Sequence, residues 1–167
     1  MPKIAQKIRS SGYVSNEEAI AEKVGQLTKV LQGVLSEDEL SELITQRRLD
    51  WLKENLIVLK EKYKDLSPEE QAHRIIFLEH MNINPEDLRV TKPIKNVIRA
   101  DGFSFCPYLE AYRQLGLDSR IMCKKINHDC FEKMAKMIHP NLVFYRNLQN
   151  LRPYSEYCEE YIELKEL

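Results

Sequence analysis

The sequence has no surplus of charge of either sign, because its 25 lysine and arginine residues nearly match its 26 aspartate and glutamate residues. Such a chain has no electrostatic field that would gather nucleic acid, so we expect no nucleic-acid partner. It also has only five glycines, and no apolar run reaches the length of a membrane span. We therefore expect neither a long flexible linker nor a membrane partner.

Cysteine is absent from most of the chain, and all four cysteines lie in its last third. The first residues lack the apolar core of a signal peptide, which favours a cytoplasmic location. In that reducing compartment cysteines serve more often as thiols, metal ligands or redox groups than as structural disulfides. An exported protein with two disulfides is the alternative. The uneven distribution predicts a functional site in the second half of the chain.

Apolar residues recur at helical spacing in the first half of the chain and predict helices at 17–35, 36–66 and 67–81. This half holds no catalytic motif, so we interpret it as a helical layer or a dimerising arm. Trp51, Ile57 and Val58 lie outside the main apolar stripe of the second helix and require a second covering surface. A twofold-related copy supplies one economically, which predicts a homodimer through residues 38–66.

The second half alternates short extended and helical patterns. Strands are predicted at 88–94, 97–105, 120–124, within 141–149 and from Cys158 onward, with helices after Cys106 and after Asn127. The predicted fold class is therefore α+β: a helical N-terminal region, 1–83, followed by a small antiparallel sheet with short helices, 84–167. Because no linker separates the two regions, we expect one compact unit.

Cys106 lies where a helix is predicted to begin. Pro107 suits the first helical position, and Gly116 offers a left-handed helix end. The dipole and the unpaired N–H groups at a helix N-terminus favour a thiolate over a thiol. Cys106 is thus the candidate nucleophile or metal ligand.

The other cysteines extend this candidate site. Cys123 and Cys158 are predicted at strand ends, so that these two and Cys106 would line one pocket at the rim of the sheet. Soft thiolates with an imidazole suit zinc or an iron–sulfur cluster, although no Cys-x-x-Cys pair is present. The candidate ligands are Cys106, Cys123, Cys130, Cys158 and His128. Burial as small core residues is the alternative, and for Cys130 the two interpretations are equally supported.

A catalytic or binding site at these cysteines would also need side chains that transfer protons and side chains that bind the ligand. His128 and Asp129 are candidate acid/base residues, although Asp129 at a first helical turn also suits the dipole. Arg146, Arg152 and Tyr154 are candidates for holding a carboxylate, since arginine binds this group through two parallel hydrogen bonds. The two glutamates at 159–160 and the lysine-rich run at 60–64 are expected to lie on the solvent-exposed surface.

The sequence Gly-Phe-Ser-Phe-Cys-Pro-Tyr-Leu-Glu-Ala-Tyr-Arg-Gln-Leu-Gly at 102–116 is followed by Cys123, by Pro-Asn-Leu-Val-Phe-Tyr-Arg at 140–146 and by Cys-Glu-Glu-Tyr at 158–161. Together these motifs resemble the L-2-amino-thiazoline-4-carboxylic acid hydrolase-like family over about residues 98–164. In that family a cysteine starts a helix ending in Leu-Gly, and a Phe-x-Arg strand leads to a terminal cysteine. The layout is also similar to the four-vinyl-reductase ligand-binding domain.

The resemblance implies a small α+β domain that binds or acts on a small cysteine-related or ring-containing ligand. By position it assigns Cys106, Cys123 and Cys158 as site cysteines, Asp129 as the acidic residue and Arg146 as a neighbour. Two hypotheses follow. One is a hydrolase that cleaves a C–N or C–S bond in a heterocyclic or amino-acid-like substrate. The other is a non-catalytic zinc or iron–sulfur module that acts as a sensor or binds a partner.

Overall fold

The computed structural model describes residues 16–166. Over this range the chain forms an α+β fold in which helices precede a small antiparallel sheet, as predicted. The α-helices are α1 Asn16–Leu31, α2 Glu37–Lys62, α3 Pro68–His73, α4 Pro107–Leu115, α5 Ser119–Ile126 and α6 His128–Ile138. A π-helical segment, Arg74–His80, continues α3, and a 3₁₀ turn spans Pro85–Asp87. The strands are β1 Leu88–Thr91, β2 Val97–Gly102, β3 Leu142–Arg146 and β4 Cys158–Leu164.

Local signals set several helix ends. The Ser36 hydroxyl accepts a hydrogen bond of 3.0 Å from the Glu39 N–H, which caps α2. Pro107 occupies the first turn of α4, directly after Cys106 as N-cap, and Gly116 ends this helix with φ 66°. A positive φ favours glycine because it has no Cβ. The first two helices end at Leu31 and Lys62, four residues earlier than predicted in each case.

The sheet has the order β1-β2-β4-β3, and each neighbouring pair is antiparallel. Ile162 on β4 pairs with Ile98 on one side and with Phe144 on the other, and all three are buried. Because successive side chains of a strand point to opposite faces, these residues define the face of the sheet that packs on the helices. On the same face Ala100 and Arg146 pair with Glu160 from either side, near one end of the sheet.

The strand predicted at 120–124 is wrong, because this segment lies within α5. Asp118 caps the helix by accepting a hydrogen bond of 2.9 Å from the Arg120 N–H. Met122, Cys123 and Ile126 are buried at helical spacing. A short apolar run fits either structure, and here the cap and the burial on one helical face determine the outcome.

Helices of the first half pack directly on the second half. Helix α1 contacts α4, and α2 contacts α5 and α6. The buried apolar cluster accordingly joins Leu27 and Leu52 with Phe144 and Ile162. No helix among residues 16–166 is both long and apolar enough to cross a membrane.

The prediction of solvated glutamates at 159–160 is wrong. Glu159 is buried and accepts hydrogen bonds from Asn147, Asn150 and Tyr161 on the outer face of the sheet. Glu160 faces the helices, where 14% of its side chain is exposed. Glu159 is buried and Glu160 is largely shielded from solvent, and both carboxylates accept hydrogen bonds from nearby donors, as shielded charge requires. In the lysine-rich run, Lys60 and Lys64 are exposed as predicted.

Candidate functional site

A cavity of about 110 Å³ lies between one end of the sheet and the helices. We call it the central cavity. Its walls come from α1, α2, α5 and α6, from the starts of α4 and β4, and from the ends of β2 and β3. Apolar side chains such as Ile44, Phe77, Phe131 and Leu151 form much of its lining.

Three cysteines converge on the central cavity, as the sequence predicts: Cys106, Cys123 and Cys158 all line it. Cys158 begins β4 opposite Gly102, and the chain reaches Cys106 soon after that glycine. Cys123 arrives from the middle of α5 rather than from a strand end. Cys130 is fully buried in α6 outside the cavity lining, and its thiol donates to the Asn127 carbonyl at 3.4 Å.

Burial keeps most of these thiols protonated. Desolvation raises the pKa of Cys123 to about 12, although the nearby Arg146 guanidinium opposes this shift. Desolvation also raises the pKa of Cys158 and of Cys130. Cys106 is the partly exposed cysteine of the four, and all four are unpaired thiols. Cys106 is therefore the cysteine of the cavity whose thiol is accessible to react with a ligand or reagent.

The donor set does not fit zinc or an iron–sulfur cluster. Within residues 16–166 no group of three or more His, Cys, Asp or Glu side chains is arranged to hold a metal ion. Cys158 Sγ instead accepts a hydrogen bond of 3.4 Å from the Arg152 guanidinium. Arg146 also lines the cavity, beside Cys123. Guanidinium groups next to these sulfurs disfavour a further cation on electrostatic grounds.

His128 and Asp129 begin α6 but do not line the central cavity. His128 Nε2 lies 3.5 Å from Glu132 one helical turn later, and its ring packs on Phe144 at 5.9 Å between centroids. Asp129 is exposed in the first helical turn, where a carboxylate favours the dipole. Neither residue shares the cavity lining with Cys106, Cys123 and Cys158.

Arg146 and Arg152 line the cavity, whereas Tyr154 does not. Arg146 is committed to protein groups, because its Nε donates to Glu160 at 3.1 Å and its Nη1 to the carbonyls of Cys123 and Asn127. Arg152 Nη1 donates to the Ser104 carbonyl at 2.6 Å. Tyr154 is exposed, with the Arg120 guanidinium 3.8 Å from its ring centroid.

Three further cationic residues of the site come from the helical half and were not predicted from the sequence. Lys23 on α1 and Arg47 and Arg48 on α2 also line the cavity. The Lys23 side chain is only 6% exposed, which is rare for lysine and is the signal that marks it. Arg47 pairs with Glu22 at 3.1 Å near the surface.

Arg48 is held by a neutral histidine. Its Nη1 donates to His80 Nε2 at 2.9 Å, and its guanidinium packs over the Phe131 ring at 4.9 Å. Desolvation by burial, with a smaller effect from Arg48, lowers the pKa of His80 to about 2. His80 therefore accepts rather than donates. The Nε of Arg48 is buried and has no hydrogen-bond acceptor among residues 16–166.

Positive charge dominates the central cavity. Among residues 16–166 the lining is cationic at five positions, namely Lys23, Arg47, Arg48, Arg146 and Arg152, and carboxylate at one, Glu160. Glu22 and Glu160 pair with Arg47 and Arg146. In the described part of the chain Arg48 and Arg152 have no carboxylate partner. Comparison with protein-family models, with curated proteins and with solved structures found no match to this chain.

Proposed function

We propose that this protein binds a small molecule with one carboxylate and a short apolar body in the central cavity. The observation that carries the proposal is the surplus of cationic side chains over carboxylates in the lining. Buried charges are normally paired, and arginine matches a carboxylate through parallel hydrogen bonds. An anionic ligand would compensate the guanidinium groups of Arg48 and Arg152, which lack a carboxylate partner in residues 16–166.

The volume and the lining residues of the central cavity limit the size and the chemistry of the ligand. A dry apolar cavity of about 150 Å³ holds benzene, a molecule of six heavy atoms, so the 110 Å³ here suits a whole ligand of about four to six heavy atoms. Phe77, Phe131 and Leu151 offer apolar contact to its apolar body, while Arg48 and Arg152 offer donors to its carboxylate. A short aliphatic acid such as butanoate meets both requirements.

The test is a thermal-shift series with butanoate, its neutral isostere butanamide and the cation butylammonium. At ten times its Kd a ligand adds about 1.4 kcal/mol, which should raise the Tm by about 3–5 °C for a chain of this size. We expect this shift with butanoate and none with the other two, at an ionic strength matched by sodium chloride. Equal shifts with butanoate and butanamide, or none with either, would overturn the proposal.

Cys106 supports a second candidate function, the thiol-dependent hydrolysis implied by the family resemblance. Its sulfur is partly exposed, lines the same cavity and precedes the N-terminus of α4. In this function Cys106 would be the nucleophile, and the ligand would be a substrate with a C–N or C–S bond. Because His128 and Asp129 do not line the cavity, binding is the stronger proposal.

We predict that iodoacetamide modifies Cys106 first in the folded protein. Cys123, Cys130 and Cys158 are buried, and neutral buried thiols react slowly. Peptide mass mapping should find one fast site, which disappears in Cys106→Ser and is slowed by saturating butanoate. Equal rates at Cys106 and Cys158 would contradict this assignment, and so would a rate that butanoate does not change.

We also propose a homodimer through α2. Ile57 and Val58 are 85% and 71% exposed, as a face that awaits a second copy would be. Light scattering at micromolar concentration should give the dimer mass for the natural protein and the monomer mass for Ile57→Glu. Ile94→Glu is the matched control, because Ile94 is 67% exposed but lies outside α2. A monomer in all three samples would exclude this interface.

The cytoplasm is the location we propose. Support comes from the four cysteines, which are all unpaired thiols in the folded chain, as is usual in a reducing compartment.

A further inference from the structure

Asn127 lines the central cavity and lies one helical turn before Phe131, which lines it too. Asn127 is the N-cap of α6, a position where an asparagine side chain ordinarily accepts a hydrogen bond from an N–H of the first turn. Within residues 16–166 the Asn127 side chain makes no such bond, although the residue is only 5% exposed. Helix capping therefore does not account for the buried amide of this side chain.

The protein fixes the Asn127 amide and leaves one of its polar atoms unpaired. Its Nδ2 donates to the hydroxyl of Tyr112 at 2.9 Å, and Tyr112 is buried outside the cavity lining. The backbone is held as well, because the Asn127 N–H donates to the Cys123 carbonyl at 3.1 Å. The Asn127 Oδ1 is buried and has no hydrogen-bond partner among residues 16–166. This oxygen is the polar atom that Asn127 offers to a ligand in the cavity.

A second unpaired polar atom belongs to a residue that packs on the Phe131 ring. The Arg48 guanidinium lies over this ring at 4.9 Å, and its Nε is buried without an acceptor in residues 16–166. Arg146 packs over the same ring at 5.2 Å and donates to the Asn127 carbonyl at 3.3 Å. Arg48 and Asn127 thus supply the cavity with an unpaired donor and an unpaired acceptor. Buried polar atoms are nearly always hydrogen-bonded, so this pair indicates a ligand that bonds to both.

We propose that the ligand of the central cavity is a short hydroxy acid, whose carboxylate binds Arg48 and whose hydroxyl donates to Asn127 Oδ1. This inference rests on the proposed carboxylate site and names its substrate class. The excess of cationic side chains in the lining opposes an ammonium group as the donor to Oδ1. A hydroxyl is neutral and no larger than a methyl group, so it fits the same small cavity as the carbon chain of butanoate.

The test is calorimetric titration of the full-length protein with two sets of isosteric acids. One set varies the 3-position and consists of 3-hydroxypropanoate, butanoate and 3-aminopropanoate. The other varies the 2-position and consists of lactate, 2-methylpropanoate and alanine, with both enantiomers of the chiral acids. In at least one set we expect the hydroxy acid to bind about tenfold tighter than its methyl isostere, because the methyl group leaves Oδ1 unpaired. The ammonium isostere should bind more weakly than the hydroxy acid.

Two variants test whether Asn127 carries this preference. Asn127→Leu keeps a similar volume without the acceptor, so the Kd of the methyl isostere divided by that of the hydroxy acid should fall to about one or lower. Asn141→Leu is the matched control, because Asn141 lies outside the cavity lining, and it should keep the ratio of the natural protein. If Asn127→Leu does not fold, Tyr112→Phe takes its place, since it frees the amide to rotate and should also lower the ratio.

Hydroxy acids that bind no tighter than their methyl isosteres in both sets would overturn the inference, and so would tightest binding of the ammonium isosteres. A ratio that Asn127→Leu leaves unchanged would overturn the role of Asn127. If butanoate still binds when the hydroxy acids show no preference, the carboxylate site stands and only the recognition of the hydroxyl fails. If none of the acids binds, the proposed function itself is wrong.

Discussion

Replacing Arg48 with methionine is expected to weaken butanoate binding by about 30- to 150-fold, since a hydrogen-bonded charge pair contributes about 2–3 kcal/mol. Arg48 lines the cavity without a carboxylate partner among residues 16–166, and its Nε has no acceptor there. Methionine preserves the length and the apolar contact with Phe131 but removes the charge. Calorimetric titration of both proteins measures the ratio of their Kd values.

Arg113→Met is the matched control. Arg113 lies on α4, outside the cavity lining, and is 65% exposed, so its replacement should leave the Kd unchanged. Arg48→Lys separates charge from geometry: it keeps the positive charge but loses the planar fork, and we expect an intermediate Kd. A Kd for Arg48→Met within about twofold of the natural protein would contradict the role assigned to Arg48.

The second large effect is acid destabilisation by two buried histidines. Burial lowers the pKa of His73 to about 4 and of His80 to about 2, with Arg74 and Arg48 as the smaller causes. The unfolded chain binds protons at these residues near pH 6.5, whereas the folded chain does not. The contribution of these histidines to the free energy of unfolding is therefore fully present above pH 6.5 and is lost as the pH falls below this value. The loss continues to about pH 4 for His73 and to about pH 2 for His80.

Each histidine should contribute a slope of about 1.4 kcal/mol per pH unit, so the pair approaches about 2.7 kcal/mol per unit below pH 6.5. Urea unfolding at several values between pH 7 and pH 5 measures this slope. His80→Gln or His73→Gln should reduce it by about half. A slope unaffected by either buried replacement would contradict this explanation.

The fold was largely predictable because its signals are local. Ser36, Pro68, Pro107 and Gly116 mark helix ends through their own backbone chemistry. Alternation then identified the β4 strand from Cys158. The five residues at 120–124 were misassigned because a run this short fits a strand as well as a helix, and the Asp118 cap that decides between them lies outside it.

Only the cysteine-bearing wall of the cavity was predictable from the sequence, whereas the wall formed by α1 and α2 was not. Cys106 stands out in the sequence because Pro107 follows it at a helix start. Lys23 and Arg48 do not stand out, because a charged residue on an amphipathic helix ordinarily faces solvent. They reach the cavity only through the packing of α1 on α4 and of α2 on α6, and helix periodicity carries no information about this long-range packing.

A crystal structure of the protein grown with butanoate tests the central claim most directly. We expect density for one butanoate in the central cavity, with its carboxylate hydrogen-bonded to Arg48 and its carbon chain against Phe77 and Phe131. Butanoate bound only at surface lysines, or a central cavity that holds water alone while butanoate saturates the crystal, would contradict the account.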